Sequence, residues 1–311
     1  MSSTDPLPDR VRAAAARVAG RARFVSVAEA EIPAYARDLD RASTVASPED
    51  NPGFAEGGRE RRAAYVLCLD AINFGSGWWP TIRKRPGRSG YATIALALAE
   101  RFRERGPWPA AALAGLSAKD VATALDQDPE HPLMGQFAAA LGDLGDRLLG
   151  DHDGRFAAPV EAAGGSAVAI AELLARWDAF ADESRYEGEP VPFFKRAQIA
   201  AADLDRAGVA SFVDLDRLTA FADNLVPHVL RLDGVLRLDP ALAAAIDSGE
   251  LLAHGGPEEV ELRACAVHAV ELLSAASAGL SPCEVDGLLW RRGAGARYKA
   301  IPRPRSRCTA Y

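Results

Sequence analysis

Apolar residues recur along this chain mostly at intervals of three and four, in Ala- and Leu-rich runs, and alternating Val, Ile and Thr runs are scarce. That periodicity predicts a mainly α architecture. Residues 92–105 (ATIALALAERFRER) and 166–183 (SAVAIAELLARWDAFADE) each carry an apolar face followed by charge, so both are read as amphipathic helices on one core. Residues 258–275 (EEVELRACAVHAVELLSA) predict a long helix on which Glu261, His268 and Glu271, at steps of seven and three, share a stripe. That stripe faces solvent, or its glutamates hold basic groups in place. A further helix is expected over 214–226, with Leu215, Leu218, Ala222 and Leu225 on one face and Pro227 opening a new segment.

Polar and turn-forming residues interrupt the pattern in three places. Residues 42–62 (ASTVASPEDNPGFAEGGRERR) are expected to form a surface loop that joins an N-terminal helical piece to the rest. The division that follows is residues 1–64 as an N-terminal segment and 65–311 as the main unit, the two packed together. Residues 75–91 set two tryptophans beside Gly and Pro and then four basic residues, and the stretch from 291 carries seven basic residues and no acid. Tyr298, Ile301 and Tyr311 are interleaved with that charge; the stretch either packs back and presents cations or is a solvated end.

Composition narrows the function. The 311 residues are 49% hydrophobic and 25% charged, a globular balance. Lys and Arg number 36 against 43 Asp and Glu, a net charge of −7, which disfavours a nucleic-acid polymer as partner. The absence of a long apolar run and the polar start, MSSTDPLPDRVR, make a cytoplasmic protein without a membrane partner the expectation. Four cysteines and five histidines show no metal-ligand spacing, so no metal is expected.

Candidate chemistry lies in a few aromatic and carboxylate clusters. Phe193, Phe194, Lys195 and Arg196 enter a helix at 187–204, where the rings could supply a stacking surface and the cations hold an anion beside free N–H groups. A hydrophobic staple with solvated charges explains the same residues. Asp223, at the end of an apolar run beside Phe221, either needs a cationic partner or bonds the backbone of a turn. In SPCEVDGLLWRR (281–292), Ser281, Pro282 and Glu284 form a capping box that starts a helix. Asp286 then shares a face with Leu289 and Trp290; it is a desolvated carboxyl suited to acid, base or nucleophile work, or a surface Asp stabilised by the helix dipole.

Six stretches in register resemble the queuosine 5′-phosphate N-glycosylase/hydrolase family: LDAINFGSGWWP (69–80), EGEPVPFFKRAQI (187–199), FADNLVPHVL (221–230), GEL with EEVELRACAVHAVELL (249–251, 258–273), VDGLLW (285–290) and RSRCTAY (305–311). The resemblance implies a fold similar to helix-hairpin-helix DNA glycosylases. It also implies cofactor-free hydrolysis of queuosine 5′-monophosphate, releasing the 7-deazaguanine base queuine. Asp286 is then the catalytic carboxylate facing the ribose cation. Asp223 becomes the acceptor for the base, with Phe221, Phe194 and Phe74 available for stacking. Lys195, Arg196, Lys299 and Arg305, with Arg307, are the phosphate candidates. The chain departs from the family pattern at Gly287, Leu288, Arg291 and Ala310. A DNA glycosylase and a non-catalytic nucleobase-binding protein are the competing readings.

Overall fold

The computed structural model describes residues 5–43 and 51–311. In chain order the helices are α1 (Leu7–Ala19), α2 (Ile32–Ser43), α3 (Arg59–Ala71), α4 (Gly90–Arg105), α5 (Ala110–Leu113), α6 (Ala118–Leu125), α7 (Pro132–Asp151), α8 (Ala158–Ala162), α9 (Ala167–Leu174), α10 (Lys195–Arg206), α11 (Leu225–Leu232), α12 (Pro240–Asp247), α13 (Pro257–Ala276), α14 (Pro282–Gly293) and α15 (Ala296–Lys299). Four short strands accompany them: β1 (Val25–Val27), β2 (Glu183–Tyr186), β3 (Glu189–Pro192) and β4 (Leu236–Leu238). β1 pairs antiparallel with β4, and β2 with β3, so the architecture is mainly α, as the periodicity predicts. Glu187 and Gly188, at φ 50° and 82°, make the β2–β3 turn, whose two left-handed residues match strand twist.

α13 is the central element. α1, α2, α11 and α14 all pack on it, while α10 lies between α3 and α9. Because α13 is enclosed on nearly every face, its charged residues Glu259, Glu261 and Arg263 are buried and must be partnered. Glu261, on the predicted stripe, does not face solvent. Its Oε2 accepts the N–H groups of Arg23, Phe24 and Val25 at 2.9, 2.6 and 3.1 Å, and its Oε1 accepts the Tyr186 hydroxyl at 2.7 Å. Glu271 on the same helix holds Arg12 of α1 at 2.9 Å. One glutamate thus ties the entry to β1 and the β2 hairpin onto the core.

Three expectations change. The helix predicted over 166–183 stops at Leu174; Trp177 is buried against Phe180, Asp143 caps the Ala179 N–H at 2.7 Å, and residues 183–186 become β2. The loop predicted over 42–62 is shorter. Helix α2 runs to Ser43, residues 44–50 lie outside the described part, Pro52–Phe54 form a 3₁₀ turn, and α3 begins at Arg59. The helix predicted over 214–226 is absent. Leu215–Arg217 is a 3₁₀ turn, residues 218–223 carry no regular structure, and Pro227 sits inside α11.

The last difference has a clear cause. Gln198 of α10 accepts the Thr219 N–H at 3.0 Å, Asp286 of α14 accepts the Phe221 N–H at 3.0 Å, and Arg263 of α13 donates to the Ala222 carbonyl at 3.0 Å. Side chains of three helices take the hydrogen bonds that a local helix would use, and tertiary context overrides the apolar spacing.

Replacing Glu261 by Ala leaves three N–H groups unpaired, so urea unfolding should show a loss of about 2–4 kcal/mol. Ala at the half-exposed Glu187 should change stability by less than about 0.5 kcal/mol. Equal effects at the two positions would contradict the role given to Glu261.

Candidate active site

α14 begins where the capping box places it. The Ser281 N–H donates to Glu284 at 2.8 Å, and Pro282 occupies the first turn. Asp286 follows in the second turn and is buried, about 5% exposed. Its Oδ1 accepts the Phe221 N–H, and among the described residues Oδ2 makes no hydrogen bond to protein. Burial pushes this carboxyl well above the ordinary aspartate range; Asp223 adds to the rise, while the Phe221 N–H and Lys195 oppose it. Trp290 turns its edge to Tyr91, with ring centroids 6.1 Å apart, and is partly exposed.

Asp223 belongs to the irregular segment before α11. Its Oδ1 accepts the N–H groups of Leu225 and Val226 at 2.7 and 3.1 Å, the turn-forming arrangement, at the start of a helix where the dipole favours an anion. Its Oδ2 is engaged in no hydrogen bond to protein among the described residues. Lys195, the first residue of α10, is buried, and its Nζ donates to the Asn73 carbonyl at 2.9 Å. Burial lowers its pKa, against the pull of Asp223, Asp70 and Asp286. Lys195 is therefore a buried ammonium held by a backbone carbonyl, its charge favoured by nearby carboxylates, not a solvated charge at a hydrophobic staple.

Behind Lys195, Asp70 accepts the Asn73 side-chain amide at 3.2 Å. Burial and then Asp203 raise Asp70, and burial brings Asp203 to about 6 despite its contact with Arg206 at 2.5 Å.

A buried ion pair sets the positions of these groups. Arg263 donates two hydrogen bonds to Asp182, at 3.0 and 2.6 Å, and a third to the Ala222 carbonyl. Its guanidinium carbon lies 3.9 Å from the Phe193 ring centroid and 4.7 Å from that of Tyr311. The Asp182 carboxylate also accepts the Lys195 N–H at 3.0 Å, and its carbonyl accepts those of Phe193 and Phe194 at 3.0 and 3.1 Å. Phe194 is thereby held in the left-handed region, at φ 48° and ψ 43°. Asp182 aims the entrance of α10, which carries Lys195, and Arg263 aims the loop that carries Asp223.

The other expected residues are placed differently. Arg196 is enclosed: its guanidinium lies 4.9 Å over the Phe74 ring and donates to the Ala71 carbonyl at 2.6 Å. Phe74 also packs against Phe137, with ring centroids 5.1 Å apart and planes at 73°, so Arg196 and Phe74 are buried against each other in this structure. Phe221 meets Asp286 through its backbone, and its ring is buried. Phe194 lies beneath Arg10, 5.8 Å from its ring, on a cleft of about 660 Å³ whose walls also include His254 and Asp182. Neither Asp286, Asp223 nor Lys195 lines that cleft. Lys299 is exposed, as is Arg307, and Arg305 donates to the Gly249 carbonyl at 3.1 Å while its own carbonyl accepts the Leu252 N–H. The basic stretch does pack back: the Tyr311 carbonyl accepts the Gly75 N–H at 2.9 Å, and the Tyr298 hydroxyl bonds Asp233 at 2.8 Å.

Asp70, Asp182, Asp203 and Arg263 were not among the expected residues. Arg263 carried a signal, a lone cation inside the apolar run VELRACAV four residues after Glu259. Asp182 carried none. Among the described residues no group of three or more His, Cys, Asp or Glu is arranged to hold a metal, and no helix is long and apolar enough to cross a membrane.

A desolvated carboxyl with one oxygen unengaged, a second carboxylate and a buried ammonium form the kind of perturbed polar cluster that marks a candidate functional site. The sequence profile of the queuosine salvage protein family matches residues 54–311, and the chain belongs to that family. It is 38% identical over 267 residues to a Sphaerobacter thermophilus protein named queuosine 5′-phosphate N-glycosylase/hydrolase, covering 82% of this chain and 83% of that one. Proteins of the same name from Mus musculus and Bos taurus are 32% and 29% identical, covering 58% and 72% of this chain and 59% and 72% of theirs.

The raised pKa of Asp286 has a stability consequence. A carboxyl that is harder to ionise when folded supports the fold below its unfolded value of about 4, and that support is lost as pH rises through the folded value. D286N keeps an acceptor for the Phe221 N–H and removes the charge. Its urea midpoint at pH 8 should exceed that of the wild type, with the gap closing toward pH 4. A variant no more stable at pH 8 would contradict the desolvation of Asp286.

Proposed function

We propose that this chain hydrolyses queuosine 5′-monophosphate to queuine and ribose 5-phosphate, with Asp286 as the catalytic carboxylate. The carrying observation is the position of Asp286: buried on α14, one oxygen fixed by Phe221, the other unengaged, with its charge disfavoured by Asp223 and favoured by Lys195. Membership in the queuosine salvage family and the names of the relatives supply the substrate. We further propose that the helical arrangement is related to that of helix-hairpin-helix DNA glycosylases.

As the C1′–N bond breaks, its electron pair leaves with the base and positive charge develops on the ribose. A carboxylate kept from water gains more from that charge than a solvated one, so its stabilisation is concentrated in the transition state. Lys195 opposes the rise that burial imposes on Asp286, and the Phe221 N–H fixes the orientation of the carboxyl. The oxygen of water bonds to C1′, and one of its protons ends on the departing base. Asp223, with Oδ2 unengaged, accepts from the donor edge of the base or from its cationic aminomethyl arm. No metal or cofactor is required for these steps. The net charge of −7 disfavours duplex DNA as the substrate.

Incubation of the purified chain with queuosine 5′-monophosphate should release free queuine, detected by mass. D286N should lose at least about 100-fold in turnover while still binding queuine. Full activity in D286N would remove Asp286 from the mechanism, and tight queuine binding without turnover by the intact chain would make it a binding protein.

A further inference from the structure

Resting on that reading, a 5′-phosphate must be held within reach of Asp286 and Asp223, yet the expected cations are placed for other work. Arg196 is enclosed over Phe74, Lys195 is buried and bound to the Asn73 carbonyl, Arg305 is tied to Gly249, and Lys299 stands exposed. A different arginine is brought to the site by its own contact with the end of α14 and by that of its neighbour Pro304 with the Asp223 turn.

Arg303 follows α15 in the basic stretch. Its neighbour Pro304 is fastened to the Asp223 turn, where the Asn224 side-chain amide donates to the Pro304 carbonyl at 2.9 Å. The Arg303 guanidinium itself donates to the carbonyl of Gly293, the last residue of α14, at 3.3 Å. Gly293 in turn abuts Leu225, whose N–H is bound by Asp223; a methyl group on Gly293 would lie 2.6 Å from the Leu225 side chain. These contacts triangulate Arg303 onto the turn that carries Asp223 and onto the end of the helix that carries Asp286.

Asp286 and Gly293 are seven residues apart, two turns of α14, so they share a face and are separated by about 10 Å along the axis. That span accommodates a carboxylate, a ribose and a phosphate in sequence. Arg303 is half-buried, and among the described residues its one hydrogen bond to protein is the long one to Gly293. The rest of its planar donor fork is uncommitted, and Asp223 is the charge that favours its cationic state against the burial that lowers its pKa.

We propose that Arg303 is the phosphate-binding residue of this site and makes the 5′-monophosphate a better substrate than the free nucleoside. With substrate bound, Arg303 directs its fork to the phosphate while Asp223 serves the base. The role requires bidentate donation to a tetrahedral anion, which a guanidinium supplies and an ammonium matches only in part.

Steady-state kinetics with queuosine 5′-monophosphate and with queuosine, on wild type, R303Q and R303K, tests the assignment. R303Q should raise KM for the monophosphate at least about 10-fold with kcat little changed. It should lower kcat/KM for the monophosphate at least about 10-fold more than for the nucleoside, and R303K should fall between it and the wild type. Direct titration with ribose 5-phosphate provides a readout independent of turnover and of the substitution's effect on the reaction: binding should weaken at least about 10-fold in R303Q. Equal ribose 5-phosphate binding by wild type and a folded R303Q, or equal loss on both substrates, overturns the role of Arg303. Arg303-dependent phosphate binding by a chain that releases no queuine from either substrate overturns the hydrolase reading and leaves the anion site standing.

Discussion

The buried pair between Asp182 and Arg263 is the constraint on which the arrangement depends. Two opposite charges this enclosed are costly to bury, and the cost is offset only when nearly every donor and acceptor is used. Here they are: Arg263 spends its donors on Asp182 and the Ala222 carbonyl and lies between two rings, while Asp182 collects the N–H groups of Phe193, Phe194 and Lys195. The pair does little that a well-packed apolar cluster could not do for stability alone. It does fix direction, because a two-point contact between planar groups tolerates little rotation. The entrance of α10, the loop before α11 and Tyr311 are all referred to one rigid point on α13.

Around that point the site gathers charge that the fold would be more stable without. Asp70, Asp203 and Asp286 are buried carboxyls, all raised above their ordinary range, with Lys195 among them. A protein selected for stability alone would fill this volume with apolar side chains. Conflicts of this kind between local comfort and global arrangement concentrate at functional sites. The strained backbone at Phe194, immediately before Lys195, is another.

Much of the scaffold was legible in the sequence because its signals are local. The capping box of α14, the amphipathic run of α4 and the length of α13 all follow from spacing within one element. The segment from 214 to 226 was misread for the opposite reason: its backbone partners are Gln198, Arg263 and Asp286, and no periodicity records contacts at such separations. The site shows the same division. Spacing alone left Asp286 open between a catalytic and a surface carboxyl, and Asp223 between a partnered charge and a turn former; only the resemblance weighted them toward chemistry. Arg196 and Phe74 matched the residue types expected of a ligand site but are each other's partners. Arg303 lay in a basic stretch whose composition gave no means of ranking one arginine above another.

The central claim is that the carboxylate at position 286 faces the ribose as the base departs. The most direct measurement is a crystal structure of D286N with queuosine 5′-monophosphate bound. We expect the anomeric carbon within about 3.5 Å of the side chain at 286, the separation that attack or electrostatic stabilisation requires. A nucleotide seated instead in the cleft walled by Arg10, Phe194 and His254, with position 286 remote from its sugar, would contradict the claim.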